Sequence, residues 1–190
     1  MSWKNDQVGE QETSKILELA RACLEVDGDF VELGCYKGDT SLLLAELLSE
    51  IPAIHPRKKL WLYDSFAGLP EKTNQDHSVL GENFQKGELL VNKREVKARF
   101  LRANLPLPII KKAWFSDLTP EDLPTKIAFA FLDGDFYESI KDSLKLVAPK
   151  MSEQGVLVVH DYTNPALPGV KKAVDEWRQN NNYFFNLALL

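Results

Sequence analysis

Cysteine is scarce. The 190 residues hold two, Cys23 and Cys35, twelve positions apart and in no C-x-x-C pair. That excludes a disulfide framework and a thiolate zinc knuckle. No apolar run approaches the roughly 20 residues that a membrane span needs, so no membrane partner is expected. A secretory signal is also missing, because Met1–Gln11 is polar and acidic. The chain lacks a basic excess: 23 Lys and Arg stand against 28 Asp and Glu, a formal net charge of −5. A nucleic-acid partner usually requires a basic face and is not expected. No internal repeat, low-complexity tract or linker interrupts the chain. A reducing cytoplasm is the expected location.

What is present is an ordinary globular mixture, 44% apolar and 27% charged. The length suits one domain with a real core, residues 1–190. Residues 1–12, with an isolated Trp3, read as a flexible arm or lid. Thr13 or Ser14 can cap a helix to about Val26, with Ile16, Leu19, Ala20, Cys23 and Leu24 at helical spacing. Strands are predicted over Phe30–Cys35, Lys59–Asp64, Ile109–Phe115, Lys126–Asp133, Gly155–Asp161 and Tyr183–Leu190. Helices are predicted over Thr40–Glu50, Glu88–Asn104, from Phe136 to Ala148, and over Val170–Arg178. Pro52 and Pro56 mark a loop holding His55. Lys93, Arg94, Lys97, Arg99 and Arg102 read as a solvated basic face. Residues 65–87 have no clear period and form a lid-like loop, in which His77 reads as solvated. Buried strands alternating with helices predict an α/β fold with a mostly parallel, doubly wound sheet.

The chain is organised around Phe30-Val-Glu-Leu-Gly-Cys-Tyr-Lys-Gly-Asp-Thr-Ser41. A strand, a glycine turn and a helix start hold nucleotide-like ligands in open α/β sheets. Gly34-x-x-x-Gly38 is not G-x-G-x-x-G, which argues against a dinucleotide. Glu32, two residues before the first glycine, would repel a phosphate. It suits a cation or ribose hydroxyls, and S-adenosylmethionine carries a sulfonium, an ammonium and a ribose. Asp64, at the end of the next strand, can accept ribose hydroxyls and reads equally well as a turn aspartate. Trp114 and Phe115 can stack on an adenine or fill the core.

Four strands thus end on acids or acid–histidine pairs: Glu32; Asp64; Asp133 with Asp135; His160 with Asp161. In a parallel sheet those ends share one edge. Clustered carboxylates are costly unless cations compensate. A sulfonium is one such cation. A divalent metal is another, with Asp133 and Asp161 as oxygen ligands and His160 as a third. Asp133 and Asp161 taken singly also read as caps of the helices that follow.

Glu32-Leu-Gly-x-x-x-Gly38, Asp64-Ser-Phe-Ala-Gly-Leu-Pro70, Ala113-Trp-Phe-Ser-Asp117, Leu132-Asp-Gly-Asp-Phe-Tyr-Glu-Ser139 and His160-Asp-Tyr162 stand in that order. Together they resemble the macrocin O-methyltransferase (TylF-like) family, over about residues 28–178. The resemblance implies a Rossmann-like class I methyltransferase fold. It also implies S-adenosylmethionine and Mg²⁺ as cofactors, and methylation of a hydroxyl on a small acceptor such as a sugar or glycosylated metabolite. On that basis Asp133 and Asp161 are metal ligands, and Asp135 is the general base or its neighbour. The cofactor site comprises Glu32, Gly34, Gly38, Ser41, Asp64, Ser65 and Trp114. His160 stands where family members commonly carry an acid, and it reads as a third metal ligand or as a base. Imidazole suits Zn, Fe or Ni better than Mg²⁺. The family's sheet closes with an antiparallel hairpin, whereas Tyr183–Leu190 supplies one strand, so the last antiparallel strand is expected to be missing. A homo-oligomer is left open. Two rival readings are a non-catalytic S-adenosylmethionine-binding protein and a nicotinamide-dependent oxidoreductase, the latter disfavoured by the glycine pattern.

Overall fold

Ile127–Leu132 (β4) contains no polar side chain, and all six residues are buried. A strand apolar on both faces must lie inside a sheet covered on both sides. The computed structural model describes residues 7–50, 58–81 and 84–190, and it places β4 at the centre of a six-stranded sheet. Its other strands are β1 (Asp29–Leu33), β2 (Leu60–Asp64), β3 (Ile109–Lys112), β5 (Met151–Val159) and β6 (Asn186–Leu189). Their order is β3-β2-β1-β4-β5-β6, and every pairing is parallel. The chain order reverses between β1 and β4, the place where open α/β sheets hold ligands.

The helices divide between the two faces. Helices α1 (Glu10–Ala22), α2 (Asp39–Ser49) and α3 (Lys93–Arg102) cover Phe30, Leu62, Phe129 and Phe131. Helices α4 (Tyr137–Val147) and α5 (Pro168–Asn180) cover Val31, Leu33, Ala130 and Leu132. Alternate β4 residues therefore serve opposite cores, as strand pleating requires.

The expected elements are present, with some shifts. Helix α1 begins at Glu10, inside the stretch read as an arm, and Val8 is buried. Residues 1–6, including Trp3, and the His55 loop lie outside the described residues. Strand β5 starts four residues before Gly155, with a register shift against β4. The basic face of α3 is only partly solvated. Arg99 donates to the Lys37 carbonyl (2.9 Å) and pairs with Asp39 (2.5 Å), and Lys93 donates to the Ile110 carbonyl (2.6 Å). Strand β6 lies parallel beside β5, and Trp177, Tyr183 and Phe185 pack together where the chain enters it.

The segment after β2 is fastened at several points. Leu69 and Gly87 exchange a backbone hydrogen bond (2.9 Å), and the Leu69 N–H donates to Glu88 (2.7 Å). Ser78 Oγ donates to the Pro165 carbonyl at 2.7 Å. Asp76 is 1% exposed. One of its oxygens accepts from the Thr73 N–H and hydroxyl, the other from the Tyr137 N–H at 2.7 Å. Helix α4 has no side-chain cap of its own, so a carboxylate from a distant loop supplies one. A Cβ on Gly169 would lie 1.9 Å from that same oxygen, so only glycine leaves room.

Asp76→Ala strips the first turn of α4 of its acceptor and should cost about 1–3 kcal/mol in urea unfolding. Asp76→Asn, whose amide oxygen still accepts from Tyr137, should recover part of the loss. Equal stability of Asp76→Ala and the parent would refute this account.

Candidate functional site

The glycine turn after β1 crosses the end of β4. Gly34 has φ +94°, and a Cβ there would fall 1.9 Å from the Asp133 carbonyl oxygen. Glycine is therefore required by both conformation and space. The ladder continues to the strand tips: the Gly34 N–H donates to Tyr63, Asp133 to Leu33, and His160 to Leu132, at 2.9–3.0 Å. Just beyond those tips, Tyr36, Phe66, Asp135 and Asp161 all have positive φ, between 44° and 60°. Each non-glycine residue in that region costs on the order of 1–2 kcal/mol. Strain of this kind persists only where surrounding structure enforces it, and it gathers at ligand sites.

These exits surround a cleft of about 190 Å³. Glu32, Gly34, Asp64, Ser65, Trp114, Asp133, Asp135, His160 and Asp161 all line it. Gly38 and Ser41 do not. Gly38 precedes α2 with φ +81°, and Ser41 stands behind Glu32, donating its hydroxyl to that carboxylate at 2.5 Å. Ser65 spends its hydroxyl on the Gly68 carbonyl (3.1 Å), which shapes the turn after β2.

Asp64 accepts from the Phe66 N–H (2.7 Å) on one oxygen and from the Tyr36 N–H (2.9 Å) on the other. It thereby ties the β1 and β2 turns together, and hydrogen bonds from Cys35 add to these two. Burial pushes its carboxyl up, against the pull of those N–H groups. Glu32 is 1% exposed. Desolvation holds its carboxyl well above the usual range. The Ser41 hydrogen bond opposes that shift, and the nearby Asp133 and Asp64 charges add to it. Asp135 is likewise held well above the ordinary range, by burial first and then by Asp133 and Asp161.

His160, 6% exposed, is the positive member of the group. Its Nδ1 lies 2.9 Å from Asp133 Oδ1 and 3.0 Å from Asp161 Oδ2. Its Nε2 faces Glu12 of α1 at 3.6 Å. Burial works to lower its pKa, and the two aspartates override burial, raising it to about 11. Asp161 is held down by His160 in spite of burial, and it accepts from Asn164 at 2.7 Å. Asp133, His160 and Asp161 offer ligand atoms all within 4.8 Å of one another, a set able to hold a metal ion.

Several residues here escape sequence reasoning. Gln7 and Val8 line the cleft, Glu12 backs His160, and Tyr36 and Asn164 position the acids. Only Tyr36 carried a signal, its place inside the glycine turn.

The sequence model described as Macrocin-O-methyltransferase (TylF) matches residues 7–188. A tetracenomycin-C 4'-O-methyltransferase from Streptomyces olivaceus is 31% identical over 86% of this chain and 65% of its own length. Demethyldecarbamoylnovobiocin O-methyltransferase from Streptomyces niveus shows the same identity and coverage. The chain thus spans about two thirds of the length of these curated relatives (65%). The O-methyltransferase NovP superposes with a TM-score of 0.78 at 27% identity, over 91% of this chain and 73% of that one. A calicheamicin methyltransferase shares the fold, with a TM-score of 0.74 at 20% identity over 92% of this chain and 72% of its own.

Because the folded-state pKa of Glu32 is raised, its contribution to stability is fully present below the unfolded value of about 4.3. That contribution is lost as pH rises through the folded pKa. Glu32→Gln should therefore raise the thermal midpoint at pH 8, with a smaller gain at pH 4.5. A gain independent of pH would contradict the burial argument.

Proposed function

The chain belongs to the macrocin-O-methyltransferase (TylF) family, and from that premise we propose that it transfers a methyl group from S-adenosylmethionine to a hydroxyl of a small glycosylated acceptor. One observation carries this reading: the acids of four strands converge on a single cleft. A sulfonium donor is among the few small ligands whose charge such a cluster favours.

Glu32 and Asp64 suit the two polar parts of the donor. Asp64, on the cleft wall, can accept from ribose hydroxyls, and buried Glu32 becomes a counter-charge once a cation lies beside it. Gly34 lets the backbone approach closely, and Trp114, 39% exposed on the cleft wall, is placed to stack on an adenine. S-adenosylmethionine supplies the electrophilic methyl group. The chain's own part is alignment of donor and acceptor and exclusion of water.

An alcohol must lose its proton to attack. Asp135, beside Asp133 and Asp161 on the cleft wall, has a carboxyl shifted upward by desolvation and by those two charges; with a cation in the cleft it would be a carboxylate able to take up a proton. We assign it as the group that receives the hydroxyl proton. The donor set of Asp133, His160 and Asp161 fits a divalent ion, which would lower the pKa of a bound hydroxyl. The acceptor class is supported by relatives whose names specify a rhamnosyl tetracenomycin, a demethyldecarbamoylnovobiocin and mycinamicin III.

Calorimetric titration with S-adenosylhomocysteine should show one site, and absence of binding would overturn the proposal. With rhamnosides and related glycosides as acceptors, Asp135→Asn should lower kcat about 10²–10⁴-fold while S-adenosylhomocysteine still binds. Lack of turnover on every acceptor, with binding intact, would favour a non-catalytic cofactor-binding protein.

A further inference from the structure

His160 differs from its neighbours in the cleft in being a nitrogen donor with a carboxylate on each side of the ring. Nδ1 lies 2.9 Å from Asp133 Oδ1 and 3.0 Å from Asp161 Oδ2. Two ligands at right angles on a first-row ion, each at roughly 2.1 Å, stand about 3.0 Å apart. These distances are also those of hydrogen bonds from the ring N–H to the carboxylates, and an ion taking the place of that proton would find three donor atoms within 4.8 Å of one another. Behind the ring, Glu12 Oε2 is 3.6 Å from Nε2. At that distance, longer than a hydrogen bond, the carboxylate favours a proton on Nε2 electrostatically, which would leave the Nδ1 lone pair for an ion and approach the carboxylate–histidine–metal arrangement that orients a ligand. The ring is 6% exposed and lies tilted against Phe131, centroids 5.9 Å apart, so its direction is set by packing as well.

Donor chemistry then decides the ion. Mg²⁺ takes oxygen ligands and keeps several waters, whereas imidazole suits ions later in the first transition row. We propose that His160, with Glu12 of α1 behind it, makes this centre select a first-row transition ion, in the range from Fe²⁺ to Zn²⁺, over Mg²⁺. This rests on the reading that the cleft holds an ion during methyl transfer. It also gives α1, through Glu12, a role in ion selection.

The test uses the full chain, freed of metal by chelation, at fixed pH. Calorimetry with CoCl₂ and with MgCl₂ should show one Co²⁺ site at least about 100-fold tighter than Mg²⁺. Co²⁺ should also develop visible absorption bands. His160→Asp should reduce the Co²⁺ over Mg²⁺ preference by about tenfold or more. Glu12→Ala should weaken Co²⁺ about 10–100-fold. Glu12→Gln, whose amide oxygen can still accept from Nε2–H, should restore most of that affinity. If circular dichroism shows that His160→Asp does not fold, the two Glu12 variants, on a half-exposed helix position, decide alone. The proposal falls if the Co²⁺ preference survives His160→Asp, if Glu12→Ala and Glu12→Gln behave alike, or if no ion binds while S-adenosylhomocysteine does. That last outcome would leave the methyl-transfer reading intact. Loss of S-adenosylhomocysteine binding beside an intact Co²⁺ site would do the reverse.

Discussion

Mutual repulsion among carboxylates gathered at one sheet edge is the constraint on which this molecule turns. Glu32, Asp64, Asp133, Asp135 and Asp161 line one cleft of about 190 Å³. Two charges 4 Å apart interact by about 4 kcal/mol at an effective dielectric constant of 20. The cluster therefore persists only with compensation. The structure distributes that compensation unevenly. Asp64 receives two backbone N–H groups, Asp161 has His160 and Asn164, and Asp133 has His160. Glu32 has the Ser41 hydroxyl, and both it and Asp135 are driven toward the neutral form by burial.

The sheet makes this concentration unavoidable. Parallel pairing puts the carboxyl ends of β1, β2, β4 and β5 on one edge, and the order reversal between β1 and β4 opens a gap there. To turn side chains into that gap, the chain takes positive φ just beyond each of those four strands. The hydrophobic cores beneath offset this local strain. Phe129 and Phe131 on one face of β4, with Ala130 and Leu132 on the other, fix the register that delivers Asp133. Stability and site are thus coupled through one strand.

Much of this was legible in the sequence, for a definite reason. A fully buried parallel strand is an apolar run, so the residue that ends the run is also the residue at the sheet edge. Glu32, Asp64, Asp133 and His160 could be placed by that rule alone. Contacts made across long sequence separations could not. Glu12 meets His160 across the fold, and Asp76 caps a helix 61 residues downstream. Neither position differs in pattern from an ordinary surface acid. Ser41 shows the converse limit: its place at the start of α2 suggested ligand contact, while its buried hydroxyl serves Glu32. The direction of β6 was equally hidden, since a strand as short as Asn186–Leu189 looks the same in either sense.

A site so arranged has a chemical consequence. In the cation-free cleft, His160 carries positive charge against Asp133 and Asp161, while Glu32 and Asp135 tend to hold their protons. A cation entering beside them replaces what those protons do electrostatically, so its arrival must release protons. The desolvation already imposed on Glu32 and Asp135 during folding is then recovered as attraction for the incoming charge. Burial that weakens the empty protein is the same burial that strengthens its hold on a positive ligand. On this view the cost in stability and the capacity to bind are one quantity, set by how deeply β1 and β4 carry their terminal acids.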